Sequence, residues 1–485
     1  MSAALAATPP MFALLLLLLR RTALTAALGA VAVAVVIALL AFPTPLDALV
    51  NTGARLAPTA VEVAVILLGG VVLNELLAAS GTQRRLADAI AEACGGRGRA
   101  VVVVVLGVTP FAESVTGFGI GVVVAIPLLR RLGLSARQAA ITGLLGLVTV
   151  PWGSMAPGTL VGAQLGGVGF QELGVRSAVL SLPVFLLAGA GALLVATGWR
   201  GLLGALPDLL VGTAVLWTVI WATNTWIGVP LAGVLGGLAL ITVALLLGRR
   251  TGGGVLRTLR PYLVLLAGLM GSRLVVALVD AEGWWTAVLV SPALWLVVTV
   301  AVTPRLEGVD PGTARVCVAA GVRRAVPVAA SAVVFLALGA LLTVTGMSAA
   351  LAAAAAGLGP AYLGVAPFVA ALGGFLAGSN TGANAMFAAS QAAAAQTLGV
   401  PALALVGVQN VSAALAIMSS LPRVALAAQL ASDQESGDQK SGDSAAPADT
   451  TTPTRVLPVV LAVDVVVLLA LAAITVITTM SAVSG

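Results

Sequence analysis

The sequence predicts an all-α polytopic membrane protein with about 12 transmembrane crossings plus two re-entrant hairpins, an inverted repeat with discontinuous helices. Three observations carry that prediction. First, 60% of the 485 residues are hydrophobic and 9% are charged. A soluble domain carries about 25% charged residues, and a soluble fold of this size has nowhere to hide so much apolar surface. Second, the apolar runs are continuous over about 20 residues, the length a helix needs to cross a bilayer. They do not alternate as barrel strands do. Third, the basic residues, nearly all Arg, gather in short gaps between the runs, where they act as topology signals. Together these exclude a soluble enzyme, a nucleic-acid-binding domain, a secreted disulfide scaffold and a disordered chain.

In chain order, runs at 3–19, 22–42 and 58–80 precede a hairpin at 100–129, a broken helix at 138–170 and a span at 177–197, which together make a first repeat, 1–200. A linking pair, 207–226 and 228–248, occupies 201–257. The second repeat, 258–485, holds 261–280, 284–303, 325–346, a hairpin at 360–397 and a broken helix at 401–430. A cytoplasmic linker at 431–455 and a last span at 456–481 complete it.

The charges demand the hairpins. Arg84, Arg85, Arg97 and Arg99 precede 100–129, and Arg130, Arg131 and Arg137 follow it. By the positive-inside rule that run enters and leaves on the cytoplasmic face. Its turn is expected at Thr109 to Gly119, where Pro110 and the glycines break helix and Glu113, Ser114 and Thr116 are polar. The run 360–397 has the same anatomy around Gly378 to Asn384, but its flanks are uncharged, so it opens from outside. Both termini then lie outside, with Arg55 and Arg176 as exceptions to the rule. Ser114-Val115-Thr116-Gly117 matches Ser379-Asn380-Thr381-Gly382. Each hairpin precedes a helix with breaks, at Pro151 to Gly158 in one half and around Asn410 to Ser412 and Ser419 to Pro422 in the other. Paired interrupted segments in matching positions are the sequence mark of a transporter's substrate site.

The chain has no His, so any proton chemistry falls to carboxylates or water. Glu113, a carboxylate at the first hairpin's turn, is the expected proton-coupling group. Opened turns leave backbone N–H groups at helix N-termini, which bind carboxylates without a Lys or Arg. The expected substrate-binding residues are therefore Ser114, Thr116, Gly117, Gly119, Ser154, Ser379, Asn380, Thr381, Asn384, Asn410 and Ser412. Glu62, Glu75 and Asp464 read as packing or snorkelling groups, and Arg423 as an inner-face anchor, with attraction of an anion as the alternative. The formal charge of +6 belongs to these loops and does not indicate a nucleic-acid partner. Cys94 and Cys317, far apart in sequence, are expected to stay unpaired. With no nucleotide loop, zinc spacing or Ser/His/Asp set in view, the reading is of a non-enzyme that needs no cofactor or metal and lies in the plasma (inner) membrane as a multi-pass protein.

At these residues the chain resembles the lactate permease family. Phe111-Ala112-Glu113 through Gly117-Phe118-Gly119 is similar to that family's Phe-x-Glu-Gly-x-x-Gly-Phe-Gly motif. Thr149-x-Pro151 with Gly153-Ser154-Met155 resembles its Thr-x-Pro…Gly-Ala-Met element. Gly378-Ser379-Asn380-Thr381-Gly382-Ala383-Asn384-Ala385-Met386-Phe387 resembles Gly-Ser-Asp-Thr-Ser-x-Asn-Ala-Leu-Phe, and Gln391 and Gly399-Val400 continue it. The resemblance implies a secondary transporter of lactate, glycolate and related 2-hydroxy monocarboxylates, usually with protons. A carrier or exporter of another organic or inorganic anion is the alternative. By fold analogy it implies an elevator motion, for which a homodimer is suited. Two positions depart from the pattern: Asn380 stands where the family has Asp, and Met418 where it has Lys. If those two pair in relatives, restoring Asp alone harms activity more than restoring both; equal effects reject the pairing.

Overall fold

Long apolar runs capped at their ends form helices, and in the computed structural model every regular element is helical among the described residues, 2–82, 85, 96–117, 119–247, 260–280, 282–438 and 449–483. Eleven helices there are long and apolar enough to cross a membrane. Arg84, Cys94, Phe118, Arg249, Arg250, Arg257 and part of the expected linker lie outside the described residues.

Helices α1 (Ser2–Leu18), α2 (Ala23–Ala41) and α3 (Leu46–Ala79) lead in. Thr22 caps α2, accepting the Thr25 N–H at 3.1 Å. The first hairpin is α4 (Arg97–Thr116) and α5 (Ile120–Arg131). Its turn is tighter than expected: Thr116 ends one helix, Ile120 begins the next, and Gly117 and Gly119 both hold positive φ. One π turn, Val104–Val108, carries the helix past Pro110. The Thr109 N–H and hydroxyl both donate to the Val104 carbonyl, so Thr109–Thr116 stays helical. The first broken helix is α6 (Ala136–Leu145), a 3-10 segment Val150–Met155 and α7 (Pro157–Gly166). Ser135 and Gln138 form a reciprocal capping box that starts α6. Then come α8 (Phe170–Gly204), α9 (Leu206–Trp226) and α10 (Val229–Leu247).

The second half begins with α11 (Arg260–Val279). Ser291-Pro292 splits the expected run 284–303 into α12 (Trp284–Leu289) and α13 (Pro292–Glu307). Next are α14 (Pro311–Val344), capped by Asp310, and a short α15 (Met347–Ala356). The second hairpin is α16 (Tyr362–Ala377) and α17 (Asn380–Thr397). Ser379 caps α17 by accepting the Gly382 N–H, so Asn380 to Asn384 belong to its first turns and the break shrinks to Gly378-Ser379. The second broken helix is α18 (Ala402–Ala416), a 3-10 turn Ile417–Ser419 and α19 (Leu421–Asp438), followed by α20 (Pro453–Val483). Asn410 to Ser412 do not break it: they contain neither Gly nor Pro, and α18 runs through them. The first residues of the expected linker are the end of α19.

The two halves pack reciprocally. The long helices before each hairpin, α3 and α14, lie along each other. Their predecessors cross over, α2 onto α14 and α13 onto α3. The second half of each broken helix packs on the other half's hairpin, α7 on α17 and α19 on α5. Each following span, α8 and α20, packs on its own hairpin's first arm and on the other half's broken helix. Such exchange of partners is what a two-fold relation between repeats requires. Glu75 pairs with Arg324, and Ser291 donates to Glu62 at 2.7 Å, so both of these carboxylates join α3 to its neighbours. Between α19 and α20, Asp449 Oδ2 accepts from Arg130 at 2.6 Å and from the Ala136 N–H at 2.8 Å. Partial burial alone raises its pKa, but these two donors and the Arg130 charge more than offset that and hold it below the ordinary carboxylate value. The tie is therefore present above that ordinary value and lost as pH falls through the lowered one.

Close crossings depend on small residues. A Cβ at Gly374 of α16 would stand 2.7 Å from the Ala413 carbonyl carbon of α18, which is backbone and cannot yield. Gly374→Ala is expected to lower stability by about 1–3 kcal/mol. A drop in the melting temperature of detergent-purified protein checks this, and an unchanged melt contradicts the crossing.

Candidate functional site

All four interrupted elements converge on one cavity of about 430 Å³. Glu113 and Gly117 come from the first hairpin, and Gly378, Ser379, Asn380 and Thr381 from the second. The first broken helix gives Gly153, Ser154, Pro157 and Gly158; the second gives Ile417, Pro422 and Arg423. Leu67 of α3, Ser331 of α14 and the start of α2 close the wall.

The breaks have a common polarity. Helices α5, α7, α17 and α19 all begin at this point. Each brings its first turn of N–H groups and the positive end of its dipole. One of the four is already occupied: the Glu113 carboxylate accepts from the Gly119 N–H at 3.0 and 3.1 Å and from the Gly121 N–H at 3.2 Å. Glu113 is 4% exposed, so this carboxylate is anchored to the start of α5 while still facing the cavity.

Arg423 was expected as a membrane-face anchor, and the structure places it differently. The break at Ile417–Ser419 starts a new helix at depth, so the first turn of α19 delivers the guanidinium to the cavity wall. Its side chain lies against Gly119, where a Cβ would collide with the guanidinium. No carboxylate among the described residues is in ion-pair contact with it; Glu113 is the carboxylate whose field it feels.

The backbone opposite is strained. Ser154, Met155 and Ala156 hold φ of 42°, 66° and 71° in succession, a conformation that costs an L-residue roughly 1–2 kcal/mol. This twist turns the Ser154 hydroxyl inward, buried and with no hydrogen-bond partner. Gly117, with φ of 69° and ψ of −163°, lies so close that a Cβ there would be 2.6 Å from the Ser154 Cβ.

Behind the wall lies a layer of amides. Asn410 Oδ1 accepts from Asn380 Nδ2 and Asn384 Nδ2, both at 2.8 Å. Its Nδ2 donates to Thr159 Oγ1 at 3.0 Å and to Ser177 Oγ at 2.9 Å. Asn384 Nδ2 also reaches the Gly158 carbonyl at 2.9 Å. One side chain therefore ties α18 to α17, α7 and α8. Of the residues expected to touch substrate, Gly117, Ser154, Ser379, Asn380 and Thr381 line the cavity together with Glu113. Asn384 and Asn410 stand one layer behind. Gly119 makes room for Arg423. Ser114 packs toward Gly233 of α10, the Thr116 hydroxyl donates to its own helix at Ala112, and Ser412 is buried within α18. Reading the sequence missed Arg423, Ser331, Thr159 and Ser177. The last three are single hydroxyls in apolar runs, a weak signal on their own.

Asn380 serves as a donor to Asn410, a role that an acid at this position could not fill. An aspartate would turn an oxygen toward Asn410 Oδ1, acceptor against acceptor, and add negative charge to the cavity wall. Asn380→Asp is expected to cut substrate uptake at least tenfold. Met418, fully buried in the adjoining turn, is the position whose simultaneous change to Lys tests the pairing, with uptake by the double variant above that of the single one.

Fold and site together define a multi-pass helical membrane protein whose interrupted helices surround a cavity suited to an anion. The sequence profile described as L-lactate permease matches residues 2–252 and 266–437; the chain belongs to the L-lactate permease family. The L-lactate permease of Escherichia coli (strain K12) is 43% identical over 83 residues, 17% of this chain and 15% of that protein. That of Salmonella typhimurium (strain LT2) is 40% identical over 83 residues, with the same shares of 17% and 15%. The matched segment thus spans 15% of these relatives' length. The crystal structure of the Alcanivorax borkumensis YdaH transporter superposes with a TM-score of 0.49 at 16% identity, covering 88% of this chain and 86% of that one.

Proposed function

We propose that this protein is a secondary transporter in the plasma membrane that moves lactate and related 2-hydroxy monocarboxylates together with a proton. The observation that carries the reading is Arg423, a guanidinium with no ionic partner among the described residues, at a cavity where four helices begin. A planar carboxylate matches the guanidinium fork, and the start of α7, which has no side-chain cap, and that of α17, where Ser379 takes up only the Gly382 N–H, add N–H donors that need no further charge. Ser379, Asn380 and Ser154 supply hydroxyl and amide groups for the 2-hydroxyl. The family membership supports lactate as the substrate.

Charge balance supports the proton. Glu113 and Arg423 make the cavity wall neutral among its described residues, so an arriving anion leaves one uncompensated negative charge in a low-dielectric site. A proton taken up with it restores neutrality. Glu113 is the carboxylate in view of the substrate, and Glu113→Gln tests whether it carries that proton. Purified protein in proteoliposomes, given labelled L-lactate and an inside-alkaline pH gradient, is expected to accumulate lactate above equilibrium and to lose the excess with a protonophore. Counterflow of another anion but not of lactate or glycolate overturns the substrate. Lactate counterflow without accumulation under the gradient overturns proton coupling.

A further inference from the structure

Asp464 lies well inside α20, 2% exposed, and neither carboxylate oxygen has a hydrogen-bond partner. It was expected to be a packing or snorkelling group, yet its helix continues for residues on both sides and the carboxylate does not reach an end of it. The polar group facing it is Ser419 of the 3-10 turn, whose hydroxyl donates instead to the Ala416 carbonyl at 3.0 Å. Among the described residues no charge compensates it. Helix α20 packs on α6, α8, α16, α18, α19 and the turn Ile417–Ser419, and the ionisable side chains described on these elements face elsewhere. Arg176 of α8 reaches Thr478, 14 residues further along α20 or about 21 Å. Glu172 and Arg200 lie near opposite ends of α8. Arg137 of α6 reaches the carbonyl of Arg455, nine residues the other way or about 13 Å. Tyr362 of α16 donates to Gln391. On α19, Arg423 is in the cavity and Asp433 is exposed near the far end.

An ionised carboxylate in such a place is very costly, while the neutral acid is tolerable. The three-residue turn separates this carboxyl from the substrate cavity: Ile417 lines the cavity on one side, and Ser419 faces Asp464 on the other. We propose that Asp464 is a proton-binding site of the transport cycle, protonated in the state seen here and discharged to water when the Ile417–Ser419 turn shifts, so that proton and anion meet across one turn of the second broken helix. This deepens the reading of the protein as a proton-coupled carrier and rests on it. Glu113, held by backbone N–H groups, then anchors the first hairpin's tip.

The test compares Asp464→Asn and Glu113→Gln with the wild type in proteoliposomes, using labelled L-lactate. Two readouts are taken: counterflow with no gradient, and accumulation under an inside-alkaline gradient with lumenal acidification followed by pyranine. Asp464→Asn is expected to keep counterflow within about threefold, lose accumulation and acidification, and flatten the pH dependence of lactate KM between pH 5.5 and 8. Full accumulation by Asp464→Asn overturns the proposal, as does loss of coupling in Glu113→Gln alone. A wild type that itself fails to accumulate lactate defeats the underlying reading, and it is seen separately. If Asp464→Asn does not fold, Asp464→Glu decides: it keeps an acid in a shifted position and is expected to retain coupling with a displaced pH midpoint, and an unmoved midpoint rejects the site.

Discussion

Arg423→Gln is expected to raise the KM for lactate roughly a hundredfold without altering the protein's melting temperature. The two halves of that expectation come from different facts. Among the described residues Arg423 makes no ion pair, and the Glu113 carboxylate that its removal leaves behind is still held by the Gly119 and Gly121 N–H groups. Under the proposed function its role is reserved for the ligand: two N–H groups on one carboxylate amount to about 3 kcal/mol, and each 1.4 kcal/mol is about tenfold in affinity. Arg423→Lys keeps the charge but loses the planar fork, and is expected to fall between, about tenfold above wild type. Uptake kinetics in proteoliposomes with a parallel thermal melt give both numbers. A normal KM in Arg423→Gln removes the guanidinium from the site, whereas a collapsed melt assigns it to the fold.

Asn410→Ala is expected to act the other way, through stability. Four hydrogen bonds of 3.0 Å or less meet at this one amide and connect four helices. Interhelical hydrogen bonds in membranes average about 0.6 kcal/mol and reach about 1.7, so losing all four costs about 2–3 kcal/mol. The truncated site also leaves the amides of Asn380 and Asn384 short of an acceptor. The expected signature is a lower melting temperature together with slower transport, because Asn380 is at once a member of this layer and part of the cavity wall. Asn410→Asp keeps the acceptor for both asparagines and adds a charge behind the anion site. It is expected to weaken lactate binding more than it lowers the melt. Equal effects of the two substitutions on both readouts refute the separation of support layer and binding layer.

The fold was largely legible because membrane insertion writes itself into composition. Apolar run length located the helices, and the arginine-flanked run 100–129 marked a hairpin. Where the chain breaks was less legible, since a break depends on backbone satisfaction as well as on residue type. Pro110 looked like part of a turn, but a π turn absorbed it. Asn410 looked like a break, but its amide is satisfied sideways and the helix continues. Ser379, by contrast, is a capping residue in the expected place. The same logic explains Arg423. Hydropathy reports how long a span is, and says little about a helix restarting midway, which carries an apparent end-anchor to the cavity. For Asp464 the sequence showed an acid inside a span and stopped there; its isolation from countercharges among the described residues depends on helices distant in sequence.

Cysteine protection tests the central claim most directly. Ser379→Cys, in a chain with Cys94 and Cys317 replaced by Ser, places a thiol on the cavity wall opposite the first hairpin. Lactate is expected to slow its modification by a small methanethiosulfonate reagent, with half-maximal protection at the lactate concentration that half-saturates transport, and Arg423→Gln is expected to abolish that protection. A modification rate indifferent to lactate, in a variant that still transports it, would contradict the account.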